Sequence, residues 1–280
     1  MNILYCGDKN IEDGLIISTL SLLSQVTEPL HVYILTAALD LEAARCEPVT
    51  DTVVDFLNAL LDNRDGGSVR KLDMTGHFMA CLPEKNLGTR FTPCCMLRLF
   101  ADKVEEIPDR ILYLDADVVC RKNIRDFYHQ DMSGWELAGV LDHYGKWFFR
   151  RDFFHWDYIN SGVLLLNMAE IRRTGLFQRC RERCRDKKMF MPDQSAINKL
   201  ADKKKLWDRR YNEQRRLRED TVLQHFTTSF RAIPPHIVTV KPWQADRVHN
   251  VLKIHEYDPI LDRYQQIRRE LDLKTETRTI

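Results

Sequence analysis

Arg110-Ile111-Leu112-Tyr113-Leu114-Asp115-Ala116-Asp117-Val118-Val119 is the stretch on which the fold turns. A mostly apolar run leads without a break into two aspartates separated by one alanine, and apolar residues resume at once. Such a run reads as a buried strand, here Arg110 to Leu114. Side chains at i and i+2 of a strand project to the same side. An extended Asp115-Ala116-Asp117 therefore directs both carboxylates toward one cation. Hard oxygen donors suit Mn²⁺ or Mg²⁺ rather than a soft metal. A metal there could bridge a diphosphate and stabilise it as a leaving group. The competing reading is a plain turn after a buried strand, where Asp is also common.

Working outward, Asn2 to Cys6 reads as another buried strand, ended by Gly7-Asp8-Lys9-Asn10. Residues 13–26 carry Leu15, Ile16, Leu20, Leu23 and Val26 near helical period. Strands are expected over His31 to Leu35, Glu136 to Leu141, Gly162 to Asn167, Thr221 to Gln224 and Ile237 to Val240. Helices are expected over 41–61, 93–104, 169–187 and 193–201, with a turn at Asp62 to Gly67. Strands alternating with helices predict an α/β fold around a mostly parallel sheet. Ligands of such sheets bind beyond the carboxyl ends of the strands. Asp8 and Asn10, Asp115 and Asp117, and Asp142 all fall at predicted strand ends.

Residues 1–257 read as the catalytic body and 258–280 as an amphipathic C-terminal helix and tail. Ile260, Leu261, Tyr264, Ile267 and Leu271 form its apolar stripe, beside Arg263, Arg268 and Arg269. Either the stripe packs on the body, or the basic helix makes a peripheral contact with an anionic membrane. The formal net charge of +1 gives no whole-chain pull toward nucleic acid. No apolar run approaches the roughly 18 residues a span needs. Met1 runs straight into the first strand, so the expected location is cytoplasmic, with peripheral contact at the inner face of the membrane. The eight cysteines are expected to be reduced thiols. No CxxC pair suggests structural zinc.

RILYLDADVV resembles the aspartate motif of retaining glycosyltransferase family 8, which includes bacterial lipopolysaccharide α-galactosyl- and α-glucosyltransferases and is related to glycogenin. Further motifs recur in order. NILYCGDKN at the start resembles the family's nucleotide-binding strand and loop. Met96-Leu97-Arg98-Leu99 looks like its arginine segment, Tyr158 to Asn167 like its asparagine-bearing strand, and Pro192 to Asn198 like its DQ segment. His225-Phe226 and Lys241-Pro242-Trp243 look like its late HF and KPW motifs. The resemblance covers about the first 250 residues. It implies a GT-A-type, Rossmann-like nucleotide-sugar-binding domain. The implied activity is metal-dependent, retaining transfer of galactose or glucose from a UDP-sugar to a glycan or lipid-linked acceptor, as in lipopolysaccharide biosynthesis. The runner-up is a catalytically inactive nucleotide-sugar-binding protein, whose sign would be a broken DxD or DQ pair; both are intact here. A phosphohydrolase would favour a DxD nucleophile loop after strand one, and a nucleotidyltransferase a Gly-rich phosphate loop. Neither is present.

The resemblance also assigns roles. Asp8 and Asn10 would read uracil and ribose. Asp115, Ala116 and Asp117 would meet the metal-bound diphosphate, with Asp115, Asp117 and His225 as metal ligands. Arg98 faces either a buried anion or a structural carboxylate partner. Asp142 and Asn160 suit sugar hydroxyls. Asp193 could be a carboxylate nucleophile. Gln194 could instead place its carbonyl oxygen beside a developing oxocarbenium charge. Lys241 suits a diphosphate oxygen as a point charge. One departure stands out: fifteen residues separate His225 from Lys241, where the family's gap is short. His236 is therefore a competitor. His225 is preferred because a short apolar strand delivers it, whereas His236 follows Pro234-Pro235, a turn signal.

Overall fold

In the computed structural model, which describes residues 1–63, 66–88, 93–143, 157–232 and 235–278, seven strands form the central sheet. For residues 229–232, 235–236 and 274–278 only the backbone is described. β1 (Asn2–Cys6) lies at the centre, parallel to β2 (His31–Thr36) on one side. Beyond the short antiparallel pair β3 (Leu39–Leu41) and β4 (Ala44–Cys46) in sequence comes β5 (Ser68–Asp73), parallel to β2 at one edge. On the other side of β1 lies β6 (Arg110–Leu114), also parallel. After β7 (Val118–Cys120), the sheet continues with β8 (Leu137–Leu141), β9 (Ile159–Asn167) and the edge strand β10 (Lys204–Trp207). The spatial order is β10-β8-β9-β6-β1-β2-β5. β9 alone is antiparallel to its neighbours.

Alternate side chains explain why the inner strands are apolar throughout. Ile3 and Tyr5, Leu112 and Leu114, Val163 and Leu165 enter one core, which the helices Glu12–Gln25 and Asp51–Asp62 cover. Leu4 and Cys6, Ile111 and Tyr113, Leu164 and Leu166 enter the other, under the 3₁₀ helix Pro93–Lys103 and the helices Met168–Thr174, Leu176–Asp186 and Pro192–Leu200. A strand buried on both faces needs no polar alternation.

Several expectations shift. Residues 41–50 are not helical: β3 and β4 occupy part of them, Pro48 disfavours helix in the residue before it, and the helix begins at Asp51. The helix expected over 169–187 is two, divided at Gly175, whose φ of 66° is cheap only without a Cβ. Residues 93–103 are helical as expected, but in the tighter 3₁₀ form. β9 begins at Ile159, earlier than expected, and so contains Asn160 and Ser161. β5 and β10 were not foreseen, because SVRKLD and KKLW carry the charges that edge strands tolerate. Arg64 and Asp65 of the expected turn lie outside the described residues.

β11 (Leu223–His225) pairs antiparallel with β7. Between His225 and Lys241 the chain forms a hairpin, β12 (Ser229–Ala232) with β13 (Pro235–Val238). The last helix, Asp258–Arg278, turns its stripe inward: Leu261, Ile267 and Leu271 are buried, and Arg268 pairs with Asp13 at 3.2 Å. Among the described residues no helix is long and apolar enough to cross a membrane.

Candidate active site

Because β9 runs against its neighbours, its first residues and the last residues of β6 and β8 share one edge of the sheet. Asp115 stands opposite Gly162 there, its N–H donating to the Gly162 carbonyl at 2.8 Å. The N–H of Val118 donates to the Asp115 carbonyl at 3.1 Å, which closes a turn over Asp115–Val118. The two carboxylates therefore converge through a turn, and not through the strand alternation expected from sequence. After the turn, β7 meets β11 with Val118 opposite His225. His225 Nε2 lies 3.1 Å from Asp117 Oδ1 and 3.5 Å from Asp115 Oδ2. Lys241 pairs with the other oxygen of Asp117. The hairpin thus leaves at His225 and returns at Lys241 to the same carboxylate. The side chain of His236 lies outside the described residues.

Two glycines make room for this convergence. A Cβ on Gly162 would lie 2.1 Å from His225 Cε1 and 2.8 Å from Asp115 Oδ2. A Cβ on Gly14 would lie 2.4 Å from the Ala116 carbonyl oxygen, so the first helix can pack directly on the turn. Neither glycine is conspicuous in the sequence.

Cations hold the acids in their charged forms. Arg98, 4% exposed, donates from one terminal nitrogen to the Ser161 carbonyl at 2.6 Å and from the other to Asp115 Oδ1 at 3.0 Å. Its Nε lies 3.1 Å from Asp193 Oδ2 and also donates to the Cys95 carbonyl. The guanidinium stacks over Tyr113, 4.0 Å from the ring centroid. Two carboxylates and two backbone carbonyls thus occupy Arg98. The Tyr113 hydroxyl donates to Asp115 Oδ1 at 2.6 Å, a contact the sequence reading missed although Tyr113 sits two residues away. Burial opposes ionisation of Asp115, yet Arg98, His225 and Tyr113 outweigh it and hold the carboxyl well below its ordinary range. Asp117 is lowered as well, by His225 and Lys241 against its burial. Burial likewise works against a charged His225, but Asp117 and Asp115 win and raise it to about 9. Asp193 goes the other way: burial raises it despite Arg98.

The opposite flank is built from amides. Asp142 Oδ2 accepts from Asn160 Nδ2 at 3.1 Å and from Gln194 Nε2 at 3.0 Å. Gln194 Oε1 accepts from the Ser161 N–H at 2.9 Å. Asp193 and Gln194, adjacent at the start of one helix, therefore face different partners. Asp193 joins Arg98, and Gln194 joins Asp142. Asn160 Oδ1 accepts from the Gly162 N–H and from Asn212 Nδ2, each at 3.0 Å. Asn212 then reaches His225 Nδ1 at 3.2 Å. Nothing in Arg209-Arg210-Tyr211-Asn212-Glu213-Gln214 singles it out.

At the end of β1, buried Asp8 caps a short 3₁₀ turn by accepting from the Asn10 N–H at 3.0 Å, while Asn10 is exposed. One ligand-capable atom each of Asp8, Cys46 and Cys94 lie within 4.8 Å of one another. All eight cysteines are free thiols.

Asp115, Asp117 and His225 fit a hard divalent ion: their ligand atoms lie within 4.8 Å of one another, and they offer two carboxylates and an imidazole nitrogen. The mostly parallel sheet has the GT-A-type glycosyltransferase fold of similar solved structures. Residues 2–247 match the family described as glycosyl transferase family 8, and the chain belongs to that family. The chain is similar to the galactosyltransferase LgtC, solved with donor and acceptor sugar analogs, at a TM-score of 0.68 and 19% identity, covering 95% of this chain and 96% of that one. GlyE of Streptococcus pneumoniae TIGR4 gives a TM-score of 0.61 at 17% identity, covering 95% of this chain and 64% of that one. Glycosyltransferase GlyA of Streptococcus pneumoniae serotype 4 is 36% identical over 111 residues, 39% of this chain and 15% of GlyA. The lipopolysaccharide 1,3-galactosyltransferase of Salmonella typhimurium LT2 is 24% identical over 162 residues, 52% of this chain and 48% of that protein. The chain thus spans less than half the length of these curated relatives.

Proposed function

We propose that this family 8 glycosyltransferase moves a hexose, galactose or glucose, from a UDP-sugar to a glycan or lipid-linked acceptor with retention of configuration. The observation that carries the reading is the convergence of Asp115, Asp117 and His225, with Lys241 beside them, at the carboxyl edge of the sheet. Asp115, Asp117 and His225 would hold Mn²⁺ or Mg²⁺, which supplies positive charge to the departing diphosphate. Lys241 would exchange its hold on Asp117 for a diphosphate oxygen. Asp8 and Asn10 would contact the nucleoside. Asp142 and Asn160 would orient sugar hydroxyls. Arg98 pairs with both Asp115 and Asp193 and helps to hold Asp115 charged.

Retention needs either two inversions or departure and attack on one face. Asp193 is paired with a buried guanidinium, which makes it a weak nucleophile. The Gln194 amide is held at both ends, which favours it as a fixed dipole near the reacting carbon. Lipopolysaccharide synthesis as the setting follows from the relative's name alone. A peripheral membrane contact would have to use the exposed Arg263 and Arg269, since the apolar stripe packs inward.

The test is release of UDP from UDP-galactose and UDP-glucose with Mn²⁺, followed by proton NMR of the product. An α-glycoside made only with metal present is the expected outcome. Full activity in chelator removes the metal from the reaction, and a β-glycoside removes retention.

A further inference from the structure

Every amide between the sheet edge and His225 has its orientation forced, and the forcing begins at a group that cannot flip. The Gly162 backbone N–H can only donate, and it donates to Asn160 Oδ1 at 3.0 Å. Asn160 must then turn Nδ2 toward Asp142, whose carboxylate oxygen accepts at 3.1 Å. The same Asn160 oxygen receives Asn212 Nδ2 at 3.0 Å. Asn212 is consequently left with its own Oδ1 facing His225 Nδ1 at 3.2 Å. An amide oxygen only accepts, so Nδ1 carries the hydrogen. A flipped Asn212 would set its oxygen against the Asn160 oxygen inside a buried cluster, where an unpaired acceptor is costly. Asn212 is 1% exposed, so water does not relieve that clash.

A neutral imidazole with its hydrogen on Nδ1 has its lone pair on Nε2. Nε2 is the nitrogen that faces Asp115 and Asp117. We propose that Asn212 is a positioning residue that fixes the tautomer of His225 and so presents Nε2 as a ready donor to the divalent ion. The string Gly162–Asn160–Asn212–His225 carries the instruction from the backbone to the metal ligand. Partners of this kind, set behind a ligating histidine, typically change metal affinity 10- to 100-fold. The inference rests on the metal reading above and deepens it.

The experiment measures binding of the Mn²⁺–UDP complex by calorimetry to the full chain and to Asn212→Leu, Asn212→Asp and His225→Ala, with thermal unfolding of each. Leucine keeps the size of the side chain but cannot accept from Nδ1–H. Aspartate can accept, though it places a carboxylate beside the Asn160 oxygen. Positioning predicts that Asn212→Leu weakens binding about 10- to 100-fold and that Asn212→Asp stays within a few-fold of wild type, even if Asn212→Asp melts lower. A merely structural role predicts the reverse order, because a buried like-polarity pair disturbs packing more than an isosteric apolar residue does. Asn212→Asp binding no better than Asn212→Leu overturns the proposal. If His225→Ala binds normally, the metal reading fails and takes the proposal with it. If His225→Ala is weak but Asn212→Leu is normal, only the proposal fails. Wild-type protein labelled with ¹⁵N histidine, loaded with Mg²⁺ and UDP, gives an independent readout: the hydrogen of His225 must appear on Nδ1, and an Nε2–H signal contradicts the assignment.

Discussion

Around Asp117 the contacts join full charges: Lys241, His225 and, one turn position away, Arg98 on Asp115. Around Asn160 they join dipoles that end on a single carboxylate, Asp142. The charged half is held by partners that a metal and a diphosphate can replace. Lys241 and His225 bring positive charge to Asp117. In the amide half each of these donors already has an acceptor. On the proposed reading, one half would exchange its counter-ions and the other would stay fixed. Gly162 stands between them, with a backbone carbonyl bonded to Asp115 and a backbone N–H bonded to Asn160.

The largest effect is expected where the charged half loses a ligand. Asp117→Ala should reduce transfer about 10³-fold, comparable to removing one preorganised electrostatic partner, while the fold survives. Initial rates with UDP-sugar and Mn²⁺, with circular dichroism as the fold control, decide it. Retention of more than a tenth of the activity would show that the charged half is structural. His225→Ala should follow Asp117→Ala in this assay far more closely than His236→Ala does.

Next comes the residue between the halves. Gly162→Ala adds a methyl where 2.1 Å separates it from the His225 ring and 2.8 Å from Asp115. Both side chains must move, and displacement of about 1 Å at a reacting centre costs on the order of 10²-fold. Donor binding and metal binding should fall together. A normal rate in Gly162→Ala would mean that the two halves move independently.

These two sites differ sharply in how far the sequence reveals them. Asp115 and Asp117 interrupt an apolar run, and a buried strand that ends in two acids is visible without any structure. Their geometry was harder, since a turn and a strand both bring i and i+2 together. His225 was legible because a short strand-like run, Val222-Leu223-Gln224, leads into it after Thr221. The function of Gly162 was not, because its importance lies in what stands opposite it across the ladder, a relation between residues far apart in sequence. Asn212 was missed for the same reason: its partners are Asn160 and His225, and a lone Asn in a polar stretch predicts only a turn. The central strands were read from continuous burial, whereas the edge strands β5 and β10 escaped because lysine and arginine on an edge look like a loop. The helix expected over 41–61 holds only from Asp51 onward, because Pro48 lacks an N–H and disfavours helix in the residue before it.

A smaller effect tests the amide half directly. Asp142→Asn keeps the shape but replaces a charged acceptor by a neutral one toward Asn160 and Gln194. A charge-assisted hydrogen bond exceeds a neutral one by about 1 kcal/mol, so transfer should fall roughly fivefold. The loss should appear in the sugar-dependent parameters, with binding of UDP alone unchanged. If UDP binding falls equally, the amide half serves the nucleotide rather than the sugar.

The mildest perturbation changes no residue. His225 rises from an ordinary histidine value to about 9 because Asp117 and Asp115 overcome its burial. The folded protein therefore binds this proton more tightly than the unfolded chain does. Its contribution to metal-free stability is fully present below about pH 6.5 and is lost as pH climbs through about 9. The two aspartates are lowered, so their contribution is present above the ordinary carboxyl range and is lost only in acid. Between these limits the metal-free cluster is at its most stable, and a metal must displace the His225 proton to use Nε2. Binding at pH 7.5 should accordingly release about one proton per site, and affinity should rise about tenfold per pH unit until the imidazole deprotonates by itself. Calorimetry in two buffers of different ionisation enthalpy counts that proton. In His225→Ala the release should vanish with most of the affinity. If wild-type protein releases no proton at pH 7.5, the imidazole is already neutral there, and the charged half is not holding the cation that its geometry demands.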